Sequence, residues 1–198
     1  MNNPVITHYD LLIDENNAPV HDPKPLRDYM DKWDGQDFID KMKLNKSKSV
    51  LEIGVGTGRL AIRTAKMCES FIGIDISPKT VERAKENLIK NDNVSLICAD
   101  FLTYETDKKF DIIYSSLTFM HIENKQAAIS KVFAMLNQNG IFALSTDKNQ
   151  DNYIDTGMRK IRVYPDSKAD IMTYMENAGF KIKEHYETEF ANIFIAIK

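Results

Sequence analysis

The run Val50-Leu-Glu-Ile-Gly-Val-Gly-Thr-Gly-Arg-Leu60 constrains the fold more than any other part of this 198-residue chain. Val50, Leu51 and Ile53 read as a strand buried on both faces of a parallel sheet, ending in a tight turn that feeds a helix. The turn carries Gly54, Gly56 and Gly58. Glycine accepts positive φ and has no Cβ, so a glycine at every second position makes a flat cradle that a ligand can approach closely. The dinucleotide fingerprint G-x-G-x-x-G would place its third glycine one residue later, where a helix N-terminus faces a pyrophosphate. Here position 59 is Arg, and the spacing is G-x-G-x-G preceded by Glu52.

Further strands end in acids. Phe71-Ile-Gly-Ile-Asp75 is a second apolar strand whose terminal carboxylate is placed to accept the hydroxyls of a ribose held over the first loop. Ser77 and Pro78 already supply the N-cap and first position of a helix over 78–90, which leaves Asp75 free for a ligand. A third strand, Val94 to Ala99, runs into Asp100-Phe101, and a fourth, Phe110 to Ser115, runs into Ser116-Leu-Thr-Phe-Met-His-Ile122. Then come a helix with Ala128, Ile129, Val132, Phe133 and Leu136 on one side, the turn Asn139-Gly140, and a strand from Ile141 to Ser145. A helix over 167–178 opens with Ser167-x-x-Asp170 and stops before Gly179, and two strands follow, Lys181 to Phe190 and Ala191 to Lys198. Strands alternating with helices from 49 to 146 predict a parallel sheet with crossover helices.

On these residues the chain resembles the class I S-adenosylmethionine-dependent methyltransferases, of small-molecule type, over about residues 48 to 198. The resemblance implies an α/β Rossmann-like three-layer sandwich with a seven-stranded, mostly parallel sheet in the order 3-2-1-4-5-7-6, the last strand antiparallel. It also implies S-adenosyl-L-methionine as cofactor and S-adenosyl-L-homocysteine as product, held by Glu52, Gly54, Gly56, Gly58, Asp75, Ile76, Asp100, Phe101 and Ser115. In that family the acid matching Asp100 accepts from the adenine amino group, and the residue matching Phe101 brackets the base with backbone and ring. A ligand in such a sheet sits beyond the carboxyl ends of the strands, where the strand order reverses.

The chemistry implied is in-line displacement: a nucleophile attacks the methyl carbon and a neutral thioether leaves. The sulfonium is already activated, so the protein contributes proximity, alignment and a dry pocket, and a general base is needed only where the acceptor must lose a proton. His121 is the candidate base, since its unperturbed pKa suits proton transfer at neutral pH; the alternative is a histidine bonded to backbone. Substrate contacts are expected from an N-terminal helical cap, residues 1–47, and from a short insertion at 147–166, both within a single domain spanning 1–198. Tyr9, Tyr29, Trp33, Tyr153, Arg159, Arg162 and Tyr164 populate these parts and suit a small, partly apolar acceptor with an acidic group, although Tyr29 and Trp33 equally suit packing of the cap on the sheet. Asp22 to Lys43 predicts two short helices around Asp34-Gly35, whereas residues 1–21 carry few periodic signals.

Composition narrows the classes. A net charge of −3 and 43% apolar residues suit a globular domain. The lysines at 41, 43, 46 and 48 read as a solvated helix end, so no nucleic-acid partner is expected. No apolar run reaches the roughly 18 residues of a membrane span, and the first residues lack a basic-then-apolar leader. Cys68 and Cys98 have no metal-ligand spacing and read as small core residues; no metal is expected, and a cytoplasmic location is. Two other readings stay open beside the methyltransferase: a module that binds S-adenosylmethionine or S-adenosylhomocysteine without turnover, and a nicotinamide oxidoreductase, which the 54-56-58 spacing disfavours.

Overall fold

The computed structural model describes residues 3–157 and 159–198. Its main sheet has seven strands: β1 (Ser49–Ile53), β2 (Ser70–Asp75), β3 (Val94–Cys98), β4 (Phe110–Ser116), β5 (Leu136–Asp147), and, after a separate hairpin of β6 (Tyr153–Asp155) and β7 (Lys160–Arg162), β8 (Lys181–Glu187) and β9 (Ala191–Ile197). They lie in the order β3-β2-β1-β4-β5-β9-β8. Counted along the main sheet alone this is 3-2-1-4-5-7-6, and β9 runs antiparallel to both of its neighbours. The resemblance implied this topology; the β6–β7 hairpin is additional, an antiparallel pairing of Ile154 with Ile161 inside the 147–166 insertion.

Alternation along β1 divides the core into two halves. Leu51 and Ile53 face one side with Phe142 and Leu144, against Ile129 and Val132 of α6 (Lys125–Met135) and Ile171 and Met175 of α7 (Lys168–Ala178). Val50 faces the other side with Phe71, Ile112 and Tyr114, against Phe38 and Ile39 of α3 (Gly35–Lys41) and Ala61 of α4 (Ala61–Thr64). Helices on both faces of the sheet give three layers, and β1 is buried on both sides, as its apolar run predicts.

Local signals account for most helix ends. The amide of Thr80 donates to Ser77 Oγ at 3.2 Å at the start of α5 (Pro78–Asn87), and Gly179 closes α7 with φ of 99°. Helix α5 ends at Asn87, earlier than the expected 90. The Asp22–Lys43 segment forms α2 (Lys24–Met30) and α3, divided at Asp34, which caps α3 by accepting from the Gly35 amide.

Three expectations change. Residues 1–21, read as poor in periodic signals, contain α1 (Pro4–Asp14), whose start is set by Asn3 accepting from the Val5 amide at 2.9 Å and by Pro4 at its first position. Strand β5 begins at Leu136, through the expected Asn139-Gly140 turn, because Leu136 pairs with Phe110 before the register shifts to Ile112 and Ile141. Cys68 is buried as expected, but Cys98 is exposed because it ends β3, the edge strand of the sheet. No helix among the described residues is long and apolar enough to cross a membrane.

Candidate functional site

The strand order reverses beside β1, whose neighbours are β2 on one side and β4 on the other. Loops at the carboxyl ends of these strands diverge there and leave a crevice. A cavity of about 370 Å³ occupies it, floored by Glu52, Gly54, Gly56, Asp75 and Asp100 and roofed by α1 through Val5, Tyr9, Leu12 and Ile13. Its volume is that of a small-molecule site.

The glycine loop is held from below. The amides of Gly54 and Val55 both donate to the Ile74 carbonyl, at 2.8 and 3.0 Å, so the turn is fastened to the end of β2. Gly54 has φ of 76°, and a Cβ there would lie 1.9 Å from Thr118 Oγ1. Gly56 also has positive φ, 55°, but a Cβ there would meet nothing within 4 Å. It lines the cavity, so the open space beside it is the space a ligand would take. Gly58 differs: it is outside the cavity wall, and a Cβ there would lie 3.2 Å from Leu88. Its glycine serves the packing of the loop on the residue that closes α5, a correction to its expected place around the cofactor.

Asp75 is also less free than Ser77 and Pro78 suggested. Its Oδ2 accepts from the Gly56 amide at 2.9 Å and its Oδ1 from the Ser77 amide at 3.0 Å. Each carboxylate oxygen has a further lone pair, and Asp75 lines the cavity, so it both shapes the glycine loop and keeps acceptor capacity for a hydroxyl. Burial raises its pKa, against the opposing pull of these amides. Ile76 and Asp100 line the same wall, Asp100 accepting from the Leu102 amide at 2.8 Å. Phe101 borders the cavity beside Asp100, and its side chain is buried in the core that supports this wall. Ser115 is the second correction: fully buried, it donates to the Ile53 carbonyl at 2.9 Å and does not line the cavity, whereas Ser116 does. The alternation of β4 sends successive side chains to opposite faces.

Glu52 sits at the base of the site, 3% exposed, accepting from the Tyr114 hydroxyl at 2.8 Å. Burial pushes its pKa up to about 8, so it is mainly protonated at neutral pH.

Beside it lies an ion pair that sequence reasoning missed. Arg59, on the cavity wall, reaches Asp34 with both terminal nitrogens, one of them at 3.1 Å from Oδ1, and also contacts Asp31 at 3.4 Å. Asp34 is buried and accepts from Ser116 Oγ at 2.7 Å as well. The sequence signal was Asp34-Gly35, legible as the break between two short helices but silent about the partner brought in from the glycine loop.

The roof meets the fourth loop at His121, whose Nε2 is 2.8 Å from the Tyr9 hydroxyl. Burial pushes the His121 pKa down to about 4, with the charges of His8 and Lys125 adding to it, so its imidazole is neutral at pH 7. Its Nδ1 is buried without a hydrogen-bond partner among the described residues. Lys125, itself buried, fixes the turn that carries His121 by donating to the carbonyls of Phe119, Ile122 and Tyr164 at 3.1, 2.9 and 2.8 Å. Helix α1 is fastened further by Asp10, which accepts from Ser77 Oγ at 2.7 Å, and by Glu15 on Arg159 at 2.7 and 2.8 Å.

Of the residues expected to meet a substrate, Tyr9 lines the cavity and the others do not. Trp33 packs on Phe190 at 4.6 Å and donates to Asp147 at 3.1 Å, and Tyr29 joins the same aromatic cluster. Arg159 pairs with Glu15, Arg162 lies over Tyr164 at 5.1 Å, and Tyr153 lies under Lys160 at 4.5 Å.

Comparison with known proteins agrees with this geometry. Residues 44–190 match a family model described as a methyltransferase domain. Malonyl-[acyl-carrier protein] O-methyltransferase 1 of Ilyobacter polytropus is 30% identical over 183 residues, covering 81% of this chain and 66% of that protein. Its counterpart from Priestia megaterium is 33% identical over 110 residues, covering 53% of this chain and 39% of that protein. The chain therefore spans just under two thirds or less of these curated relatives. Among solved structures, the N-methyltransferase NodS from Bradyrhizobium japonicum, in complex with S-adenosyl-L-homocysteine, superposes with a TM-score of 0.72 at 15% identity over 99% of both chains. An S-adenosylmethionine-dependent methyltransferase from Mesorhizobium loti gives 0.70 at 15% identity, over 83% of this chain and 97% of that one. At these identities the structural likeness concerns the fold.

Proposed function

The chain belongs to the methyltransferase domain family, and from that premise we propose that it transfers a methyl group from S-adenosylmethionine to oxygen, nitrogen or sulfur of a small-molecule acceptor. The observation that carries this reading is the open cradle at Gly56 beside the Asp75 carboxylate, within a cavity at the point where the strand order reverses. A nucleoside fits these residues: Asp75 retains lone pairs for ribose hydroxyls, Asp100 stands at the end of β3 for an exocyclic amine, and the backbone of Gly54 and Gly56 offers a surface without side chains.

When bound, the cofactor supplies a methyl group on a sulfonium, already activated for displacement. The protein's part is positional. The cavity floor fixes one reactant, α1 closes over it with Leu12 and Ile13, and the apolar roof excludes water from the reacting atoms. His121, neutral at pH 7, has the protonation state of a base, but its Nε2 faces Tyr9; it takes a proton from an acceptor only when the Tyr9 hydroxyl yields that position. The acceptor enters between α1 and the loop of Thr118 to Glu123.

The test is turnover. The purified protein, given S-adenosylmethionine carrying a labelled methyl group and a pool of small amines, phenols, acids and thiols, should label an acceptor and release S-adenosylhomocysteine. Binding of both cofactor forms with no labelled product from the pool would favour the non-catalytic binding module instead. No partner of nucleic acid enters this reading, and the cytoplasm is the compartment it supposes.

A further inference from the structure

Which partner carries the bridging proton between Tyr9 and His121 decides what the roof offers a ligand. The hydroxyl and Nε2 lie 2.8 Å apart, and a neutral imidazole has one N–H and one lone pair, so two arrangements are open to the pair. In the first, Tyr9 donates to Nε2 and the imidazole proton sits on Nδ1. In the second, Nε2–H donates to the phenol oxygen and Nδ1 keeps a lone pair. His121 Nδ1 is enclosed, with no hydrogen-bond partner among the described residues. The first arrangement therefore buries an N–H without an acceptor, which folded proteins nearly always avoid, and it turns the Tyr9 proton away from the cavity. The second leaves only a lone pair unmatched, and unmatched acceptors are better tolerated than unmatched N–H groups. It also leaves the Tyr9 proton free. Burial, with the Asp75 charge adding to it, pushes the Tyr9 pKa up, so the hydroxyl keeps that proton. Tyr9 and His121 both line the cavity, their rings edge to face with centroids 5.4 Å apart, and His121 Nε2 is the one partner of this hydroxyl among the described residues.

Resting on the methyltransferase reading for the identity of the ligand, we propose that His121 holds the Nε2–H tautomer and is a positioning residue, orienting Tyr9 so that the phenolic proton is donated to an oxygen of the bound cofactor. In this form His121 presents no lone pair to the cavity: Nε2 carries its proton and Nδ1 is enclosed, so a base role is open to it only once the pair has parted. The cofactor has a use for such a donor. Arg59 is the one lysine or arginine among the described residues of the wall, and its guanidinium is engaged by Asp31 and Asp34. An oxygen of the ligand must therefore find neutral donors, because a buried polar group left unpaired loses its hydration without recompense. Two kinds of oxygen on the cofactor share this need, the carboxylate of its amino-acid tail and the ribose hydroxyls, and either can accept from a phenol. Lys125 keeps the pair in place from the other side, since the turn that carries His121 is bonded to its ammonium through the carbonyls of Phe119 and Ile122.

The tautomer is read directly, on the whole protein labelled with nitrogen-15 at histidine, by two-bond nitrogen–proton correlation at neutral pH, with the His121 signals assigned by their loss in His121→Leu. The expected spectrum shows a protonated Nε2 and an unprotonated Nδ1, both in the free protein and with S-adenosylhomocysteine. A protonated Nδ1 would overturn the proposal. Calorimetry then compares S-adenosylhomocysteine with 5′-methylthioadenosine, which shares the ribose and lacks the carboxylate. Tyr9→Phe should weaken S-adenosylhomocysteine binding by about tenfold. A loss confined to S-adenosylhomocysteine assigns the proton to the carboxylate, an equal loss for both compounds assigns it to the ribose, and no loss for either overturns the proposal. His121→Leu should cost affinity in the wild-type protein and nothing further in Tyr9→Phe, because it acts through Tyr9; equal costs in the two backgrounds would overturn its positioning role. Failure of S-adenosylhomocysteine to bind the wild-type protein is a different result: it would bring down the methyltransferase reading, while the spectrum of the free protein still decides the tautomer.

Discussion

The Tyr9 hydroxyl and His121 Nε2 are 2.8 Å apart, a hydrogen bond that joins the roof of the cavity to the loop after β4 across 112 residues of sequence. It makes α1 part of the site, and it makes the ionisation of His121 a property of the closed form. His121 is held neutral, its pKa pushed down to about 4 by burial and by the charges of His8 and Lys125. Between pH 6.5 and about 4 the unfolded chain therefore binds a proton at this residue that the folded chain does not. Stability should fall as pH drops through that window, by up to about 1.4 kcal/mol per unit. His121→Phe removes the titration and should flatten this limb of the pH–stability curve, measured by urea unfolding.

Glu52 gives the opposite slope. Its folded pKa is raised to about 8 from 4.5, so the proton it keeps stabilises the fold below pH 4.5, and this contribution is lost as pH climbs through 8. Glu52→Gln imitates the protonated form and should lessen the loss of stability between those values. The same unfolding series carried from pH 4.5 up through about 8 checks it.

The two cavity glycines should fail differently. Alanine at Gly54 adds a Cβ 1.9 Å from Thr118 Oγ1 at a left-handed φ, so Gly54→Ala should lower stability by more than the roughly 1–2 kcal/mol of backbone strain alone. Gly56→Ala meets nothing within 4 Å and should cost only that strain, yet it fills the cradle and should weaken S-adenosylhomocysteine binding markedly. Thermal unfolding and calorimetry on the pair separate the two effects.

Asp75→Ala orphans the amides of Gly56 and Ser77 and removes the carboxylate from the floor. It should lower affinity for S-adenosylhomocysteine by about 2–3 kcal/mol, the scale of lost charge-assisted hydrogen bonds, and loosen the glycine loop with it. Unchanged affinity would remove Asp75 from the cofactor site.

Asp34→Ala leaves Arg59 beside the cavity without its main counterion. Breaking a buried pair from one side costs about 3–5 kcal/mol, and the loss should appear as a lower midpoint in urea unfolding. Asp31, half-exposed, remains within 3.4 Å of Arg59 and places the cost toward the lower end.

The framework of this protein is written locally, and its roof is not. The apolar run Val50–Ile53, the Ser77-Pro78 cap and Gly179 each state a backbone preference that the fold keeps, so strands, helix ends and the cavity floor follow from the residues themselves. What escaped was decided by partners distant in sequence. Helix α1 has a start signal in Asn3-Pro4 but owes its place to Asp10 on α5, Glu15 on Arg159 and Tyr9 on His121. Gly58 and Ser115 sit one position from residues that line the cavity, and only the direction of each backbone step shows that one packs on Leu88 and the other bonds Ile53. Arg159 and Arg162 looked available for an acidic acceptor because sequence does not reveal Glu15 or Tyr164 beside them.

The central claim is that the crevice between β1 and β4 holds S-adenosylmethionine, and calorimetric titration of the purified protein with S-adenosylmethionine, S-adenosylhomocysteine and NAD tests it most directly. The account predicts micromolar binding of the first two and none of the third. Absence of binding by both, or tighter binding of NAD, would contradict it.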